Sequence, residues 1–262
     1  MQVAPSADRA PSSARSRSRA AERRGRRKTA GTAAWLVGVS VVIGLVLGVS
    51  GSDLFLVREV WVTSHNRSLQ AEAADRARQL EFGTVWLPPT RDIERQIGGL
   101  PRARSVQIAR ELPGTLIISV EPRIPIAVVH DEDRYMAIDA EGVCLYWTGS
   151  PPQGLPVVHL ERPELMEVGR ILPGRDVAWI RAVMQGLAEN DLVDGATIDL
   201  THPVCMTVST ADGVLGKLGN ERLLYEKALL FGELLGRLRD RGETPLYIDL
   251  RVLSRPTYKP LR

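Results

Sequence analysis

Cysteine, histidine and phenylalanine are scarce in this chain: 2 Cys, 4 His and 3 Phe among 262 residues. Two cysteines cannot build a disulfide framework. The absence of any Cys-x-x-Cys, together with four scattered histidines, leaves no metal-ligand constellation. Cys144 and Cys205 each sit in an apolar, strand-like context, so a bridge between them and a pair of buried free thiols are both open. No glycine-rich phosphate loop opens a helix. Ser150, Ser209 and Ser254 lack the glycine pattern of a nucleophile elbow. Catalytic, cofactor and metal residues are therefore not expected, nor is a small-molecule substrate. Basic charge is also missing from most of the chain: beyond residue 28 there are 25 Lys/Arg against 29 Asp/Glu, a net of −4. A nucleic-acid groove in the main body is excluded on that ground.

The basic residues sit instead at the start. Residues 1–28 carry nine Lys/Arg against Asp8 and Glu22, a net of +7, in an Ala/Ser/Pro/Arg-rich segment with almost nothing large and apolar to bury. Such a segment reads as a disordered tail. It is followed by 24 uncharged residues, Thr29 to Ser52. At ~1.5 Å per residue this run is long enough for the ~30 Å of hydrocarbon in a bilayer. A transmembrane helix over 29–52 is expected, and the arginines before it place the N-terminus in the cytoplasm and the bulk outside it. The tail and the helix would both meet membrane lipid. A cleaved export signal is the competing reading, from the small residues Gly48-Val49-Ser50 and from Arg23-Arg24. The apolar run is longer than the ~7 to 15 residues of a signal core, which favours a retained anchor.

Beyond the membrane the expected fold class is α+β. A β-α-α-β-β order is read over 54–123: a strand at Val57 to Thr63; a helix capped by Ser68 with Leu69, Ala73, Ala77 and Leu80 on one face; a second helix from Thr90 with Ile93 and Ile97, stopped by Gly98-Gly99; then a hairpin around Pro113-Gly114. In that hairpin Val106 and Ile108 share a face, as do Leu116, Ile118 and Val120. Residues 124–253 read as a mixed β domain with two longer helices. One helix carries Ile180, Val183 and Leu187. The other carries Leu224, Ala228, Phe231, Leu235 and Leu238. Short strands flank them, ending with Leu246 to Arg251, and 254–262 reads as a tail.

Three aspartates, Asp139, Asp199 and Asp249, each follow an isoleucine at a strand end, and three carboxylates can bind a cation or do acid-base work. Each also opens a turn or precedes a pairing partner, which is the simpler reading. His65, His130, His159 and His202 sit beside turn signals and read as solvated. Trp61, Trp86 and Trp147, at strand positions, read as core. The working surface left over is the C-terminal strand, whose free edge can accept a strand of another chain.

In order along the chain, Leu100-Pro101, Val106, Ile108, Arg110, Pro113-Gly114-Thr115-Leu116, Ile118, Val120, Glu121, Arg123 and Pro125-Ile126-Ala127 look like the POTRA hairpin and exit of one known family. Asp139 with Gly142, Leu155-Pro156, Val168-Gly169 and Tyr247-Ile248-Asp249-Leu250-Arg251 look like its later signatures. The chain thus resembles the FtsQ/DivIB family of bacterial cell-division proteins: cytoplasmic tail, one crossing, POTRA domain, β domain. The resemblance implies a non-enzymatic scaffold of the inner membrane, enriched at the septum, that binds FtsB/DivIC-like and FtsL-like single-pass division proteins and helps control septal wall synthesis. It also implies a partner-binding edge carried by Tyr247, Asp249, Arg251, Val252, Leu253, Ser254, Thr257 and Tyr258, with Val252 to Tyr258 as the added-to strand and Arg251 facing an acidic partner group. Pro256 lies inside that strand and removes a ladder donor, so the edge is expected to be shorter or shifted. Ser64-His65 replaces a glycine usual in the family, and Pro122 splits its Glu-Arg pair. POTRA-bearing secretion or envelope-assembly factors are the rival class, and an exported cell-wall enzyme the third. The former carry tandem POTRA repeats or a membrane barrel, and the sequence has neither signature.

Overall fold

A computed structural model describes residues 35, 37–44, 48, 55–163 and 166–261. The expected tail over 1–28 lies outside these, and so does most of the expected span over 29–52, of which residues 37–44 are helical. Among the described residues no helix is long and apolar enough to cross a membrane.

One small unit comprises residues up to Arg58 together with Phe82–Pro88 and Glu111–Thr115. Its described part is held by backbone pairing. Val57 N–H donates to Gly83 and Val85 N–H to Phe55, while Arg58 N–H donates to Gly114, with Phe55 tilted against Trp86 at 5.5 Å.

The larger unit holds two sheets. The first is built from β1 (Glu59–Thr63), α1 (Arg67–Ala77), α2 (Thr90–Gln96), β2 (Ala103–Glu111) and β3 (Thr115–Pro122), with strands in the order β1-β3-β2. This is the β-α-α-β-β order read from the sequence. Alternation decides which residues face the helices: Leu116, Ile118 and Val120 are buried with Leu69, Ala73, Ile93 and Ile97. The start of α1 differs from expectation. Its N-cap is Asn66, whose side chain accepts from the N–H groups of Ser68 and Leu69, because a side chain one position before the first turn reaches those donors and Ser68 is already inside it. Trp61 and Trp86 are not core residues; they are 59% and 42% exposed. Trp61 falls on the face of β1 turned away from the helices, with its indole N–H on Glu59.

The second sheet has nine strands, ordered β12-β11-β10-β9-β8-β7-β4-β5-β6. They are β4 (Pro125–Asp131), β5 (Arg134–Asp139), β6 (Cys144–Thr148), β7 (Val157–Leu160), β8 (Thr197–Leu200), β9 (Met206–Ser209), β10 (Leu215–Gly219), β11 (Pro245–Asp249) and β12 (Thr257–Pro260). Two helices, α3 (Gly174–Ala188) and α4 (Leu224–Asp240), share one core with it: Val129, Val158, Ile198, Val208, Leu218 and Ile248 from the strands meet Ile180, Val183, Leu187, Phe231 and Leu235 from the helices. Both helical stripes read from the sequence are buried. The helices approach closely where Gly186 faces Ala228, a spot at which an added methyl would lie 2.6 Å from the Ala228 methyl.

Arg123 joins the first sheet to the second. Its guanidinium donates to Asp139 at 2.6 Å and Glu141 at 2.7 Å, and its backbone N–H to Arg102. Asp139 is buried, and its other oxygen accepts the N–H groups of Glu141 and Val143, which fixes the turn that Gly142 completes at φ +81°. Cys144 is buried and Cys205 exposed, and both are free thiols; burial pushes the Cys144 thiol up to about 11.

Candidate functional site: the terminal edge of the large sheet

The chain ends by laying β12 antiparallel on β11, so β12 is one outer strand of the sheet. All four of its residues are exposed. The strand expected over Val252 to Tyr258 is therefore corrected. Residues 252–255 form a turn, closed by Arg255 N–H on the Val252 carbonyl at 3.0 Å, and the strand begins after Pro256. Proline supplies no ladder donor, and the turn before it consumes the preceding residues. Thr257–Pro260, read from sequence as part of a tail over 254–262, is a sheet strand.

The register fixes which backbone groups are free. Leu250 N–H donates to the Lys217 carbonyl of β10, so the neighbouring Asp249 turns its groups the other way, toward β12. Asp249–Thr257 and Tyr247–Lys259 are then the bonded pairs, and Ile248–Tyr258 the non-bonded one. Beyond a bulge in β11 between Pro245 and Tyr247, Leu261 N–H still turns inward, onto the Thr244 carbonyl at 2.8 Å. Tyr258 thus points both its N–H and its C=O out of the sheet, on the same side as residue 260. Residue 260 is proline, as is residue 256. The outer edge consequently offers one N–H donor, that of Tyr258, flanked by two positions that have none.

The side chains named in advance separate into three groups. Tyr247, Asp249 and Thr257 lie on one face of the sheet, where Lys217 covers the Tyr247 ring at 3.9 Å from its centroid. Arg251, largely exposed, grips Asp249, at 2.6 Å at its closest, and holds that carboxyl below the usual carboxylate range. Val252, Leu253 and Ser254 belong to the turn, with Val252 58% exposed. Tyr258 lies on the opposite face, 45% exposed, donating its hydroxyl to Glu243 at 2.8 Å. Glu243 and Leu261, which sequence reasoning missed, border the same edge with Lys259 and Leu246; Leu246 and Leu261 are 44% and 60% exposed. The repeat of proline four residues apart was the signal available for them.

The three aspartates do not converge. Each caps the turn after its own strand: Asp139 as above, Asp199 through Thr201 N–H and Oγ1, Asp249 through Arg251 N–H. Among the described residues no group of three His, Cys, Asp or Glu side chains can hold a metal ion. Two of the histidines were misplaced by the sequence reading, since His130 and His159 lie within β4 and β7 and are half-buried.

No family model matches the chain. Several curated proteins do, all of them cell division protein FtsQ. The Mycobacterium leprae protein is 28% identical over 193 residues, covering 73% of this chain and 54% of that protein. The Novosphingobium aromaticivorans protein is 29% identical over 116 residues, 43% of this chain and 35% of its own length. The Streptomyces bingchenggensis protein is 30% identical over 73 residues, 28% of each. The chain thus spans about half or less of the length of these relatives. A solved structure, POTRA1-2 of the periplasmic domain of Omp85 from Anabaena, matches over 62% of this chain and 91% of its own at 15% identity, with a TM-score of 0.24. The chain is thus similar in sequence to the bacterial cell-division protein FtsQ.

Proposed function

We propose that the chain is a non-catalytic membrane scaffold of the bacterial division machinery, and that its working surface is the outer edge of β12. The observation that carries the reading is the edge itself: a strand whose four residues are all exposed at the end of a nine-stranded sheet, with the outward-pointing amide and carbonyl of Tyr258 unpaired by β11. An extended segment of another chain gains main-chain bonds there, while the side chains around Tyr247, Tyr258, Leu246 and Leu261 select it. FtsB/DivIC-like and FtsL-like single-pass division proteins are the partners the FtsQ relationship suggests. The tail and the apolar run at 29–52 hold the scaffold to the cytoplasmic membrane, residues 54–123 form a POTRA domain and the remainder a β domain, outside the cytoplasm.

The test is a fluorescent fusion in dividing cells combined with binding of a purified FtsB/DivIC-type segment to the purified chain. A band at the division site and saturable binding that is lost when β12 is truncated at Pro256 are expected. A uniform envelope signal, with binding indifferent to that truncation, would place the chain with envelope-assembly factors instead.

A further inference from the structure

One row of side chains crosses the face of the large sheet that is turned away from α3 and α4. Reading the registers from β5 to β12 it runs Tyr135, His130, His159, Asp199, Thr207, Lys217, Asp249 and Thr257. His130 and His159 are neighbours because β4 and β7 are parallel, with Val128 beside Val157 and Val129 beside Val158; the histidines are one step further on. Their ring centroids lie 5.0 Å apart at an interplanar angle of 64°. Asp199 is directly opposite His159 on β8, and the Tyr135 ring is 5.0 Å from that of His130.

That separation, also that of edge-to-face ring packing, is compatible with a shared cation. With a metal–nitrogen distance of about 2.0–2.1 Å and a ring radius of roughly 1.15 Å, two imidazoles on one ion have centroids roughly 4.5 Å apart at a right angle and about 5.2 Å apart at the tetrahedral angle. We propose that His130 and His159 form a two-imidazole site for a late first-row divalent cation such as Zn²⁺, with water completing the coordination and the Asp199 carboxylate contributing charge beside it. Nitrogen ligands must be neutral to bind. A bound ion would clip β4 to β7, two strands separated in sequence by β5, β6 and the loop to Pro156.

The background for a test is low, since the chain has two other histidines and two cysteines, of which Cys205 is exposed. Calorimetric titration of the purified full chain with Zn²⁺, in a Cys205→Ser background, should give saturable binding of one ion. His130→Gln and His159→Gln should each weaken it on the order of tenfold or more, at least the loss typical of an outer-shell partner. His65→Gln and His202→Gln should leave it unchanged. Circular dichroism without metal identifies any variant that fails to fold. For that case Cu²⁺ added to the unmutated protein provides an independent reading, with hyperfine coupling to two nitrogens expected in its electron paramagnetic resonance spectrum. Absence of saturable Zn²⁺ uptake, uptake unchanged in folded His130→Gln and His159→Gln, or a Cu²⁺ spectrum without two-nitrogen coupling each overturns the proposal.

Discussion

If an extended partner adds to β12, replacing Tyr258 by proline should be the most damaging single backbone change the edge can suffer. Tyr258 belongs to the non-bonded pair with Ile248, so its N–H contributes nothing to the internal ladder and its loss leaves β11–β12 pairing intact. Residues 256 and 260 are already proline, so no other outward donor exists between them. Tyr258→Pro therefore removes a ladder bond worth about 0.5–1.5 kcal/mol and leaves a partner carbonyl unpaired at a cost of about 1–3 kcal/mol. A total near 2–4 kcal/mol raises Kd roughly 30- to 1,000-fold. Binding of an FtsB/DivIC-type segment to each purified variant measures this, with the thermal midpoint as folding control. Tyr258→Ala keeps the N–H and loses the ring and the contact with Glu243, so it separates the backbone from the side chain. Leu253→Pro provides the contrast. Leu253 is the second residue of the turn closed by Arg255 on Val252, a position that favours proline, and binding should not change. Equal losses in Tyr258→Pro and Tyr258→Ala would refute the ladder argument, because the ring alone would then account for the affinity.

Four further outcomes test the fold beneath that edge. Ile118→Ala empties a site that is 0% exposed and should cost about 2–5 kcal/mol in denaturant unfolding. Gly186→Ala puts a methyl 2.6 Å from both the Ala228 methyl and the Tyr225 carbonyl, and should lower stability by about 1–3 kcal/mol despite alanine's better helix propensity. Arg123→Ala leaves the buried Asp139 carboxylate without its cation; because two backbone N–H groups still bind it, the loss should lie near the lower end of about 3–5 kcal/mol, and Arg123→Ala with Asp139→Asn should recover part of it. For pH, His159 is harder to protonate in the folded chain than its ordinary value near 6.5, chiefly through burial and then through His130. The unfolded chain therefore binds the proton better. The contribution is fully present above that value and is lost as pH falls below it, so the thermal midpoint should drop between about pH 7 and pH 5 less steeply in His159→Gln than in the unmutated chain.

Local periodicity made the helices legible and left the sheet order hidden. The stripe Leu224, Ala228, Phe231, Leu235, Leu238 and the set Ile180, Val183, Leu187 specify a buried face whatever they pack on, and all eight are buried. Strand alternation has no such reach. It placed Leu116, Ile118 and Val120 inward, yet a period of two says nothing of which strand lies beside which. The parallel neighbours β4 and β7 are separated by β5 and β6, so the pairing of His130 with His159 exists only after the chain has closed over a distance that no window of 11–18 residues spans.

The terminal edge falls between these cases. Pro256 announced that a strand over 252–258 would lose a donor, but its placement turned on a short-range contest that propensity does not decide. Val252 and Leu253 favour a strand, whereas Asp249 captures Arg251 through both its backbone and its guanidinium, and Arg255 closes back on Val252. The local bonds win because they satisfy five polar groups at once, and the strand is displaced to 257–260. From there the alternation is forced. Two prolines four residues apart must lie on the same side of a strand, and the inward positions Thr257 and Lys259 must keep their N–H groups for β11 to hold the strand at all. Prolines at 256 and 260 are therefore compatible with a stable β12 only on its outer side, where they protect the edge against indiscriminate pairing and leave Tyr258 as the single point at which a chosen strand can register.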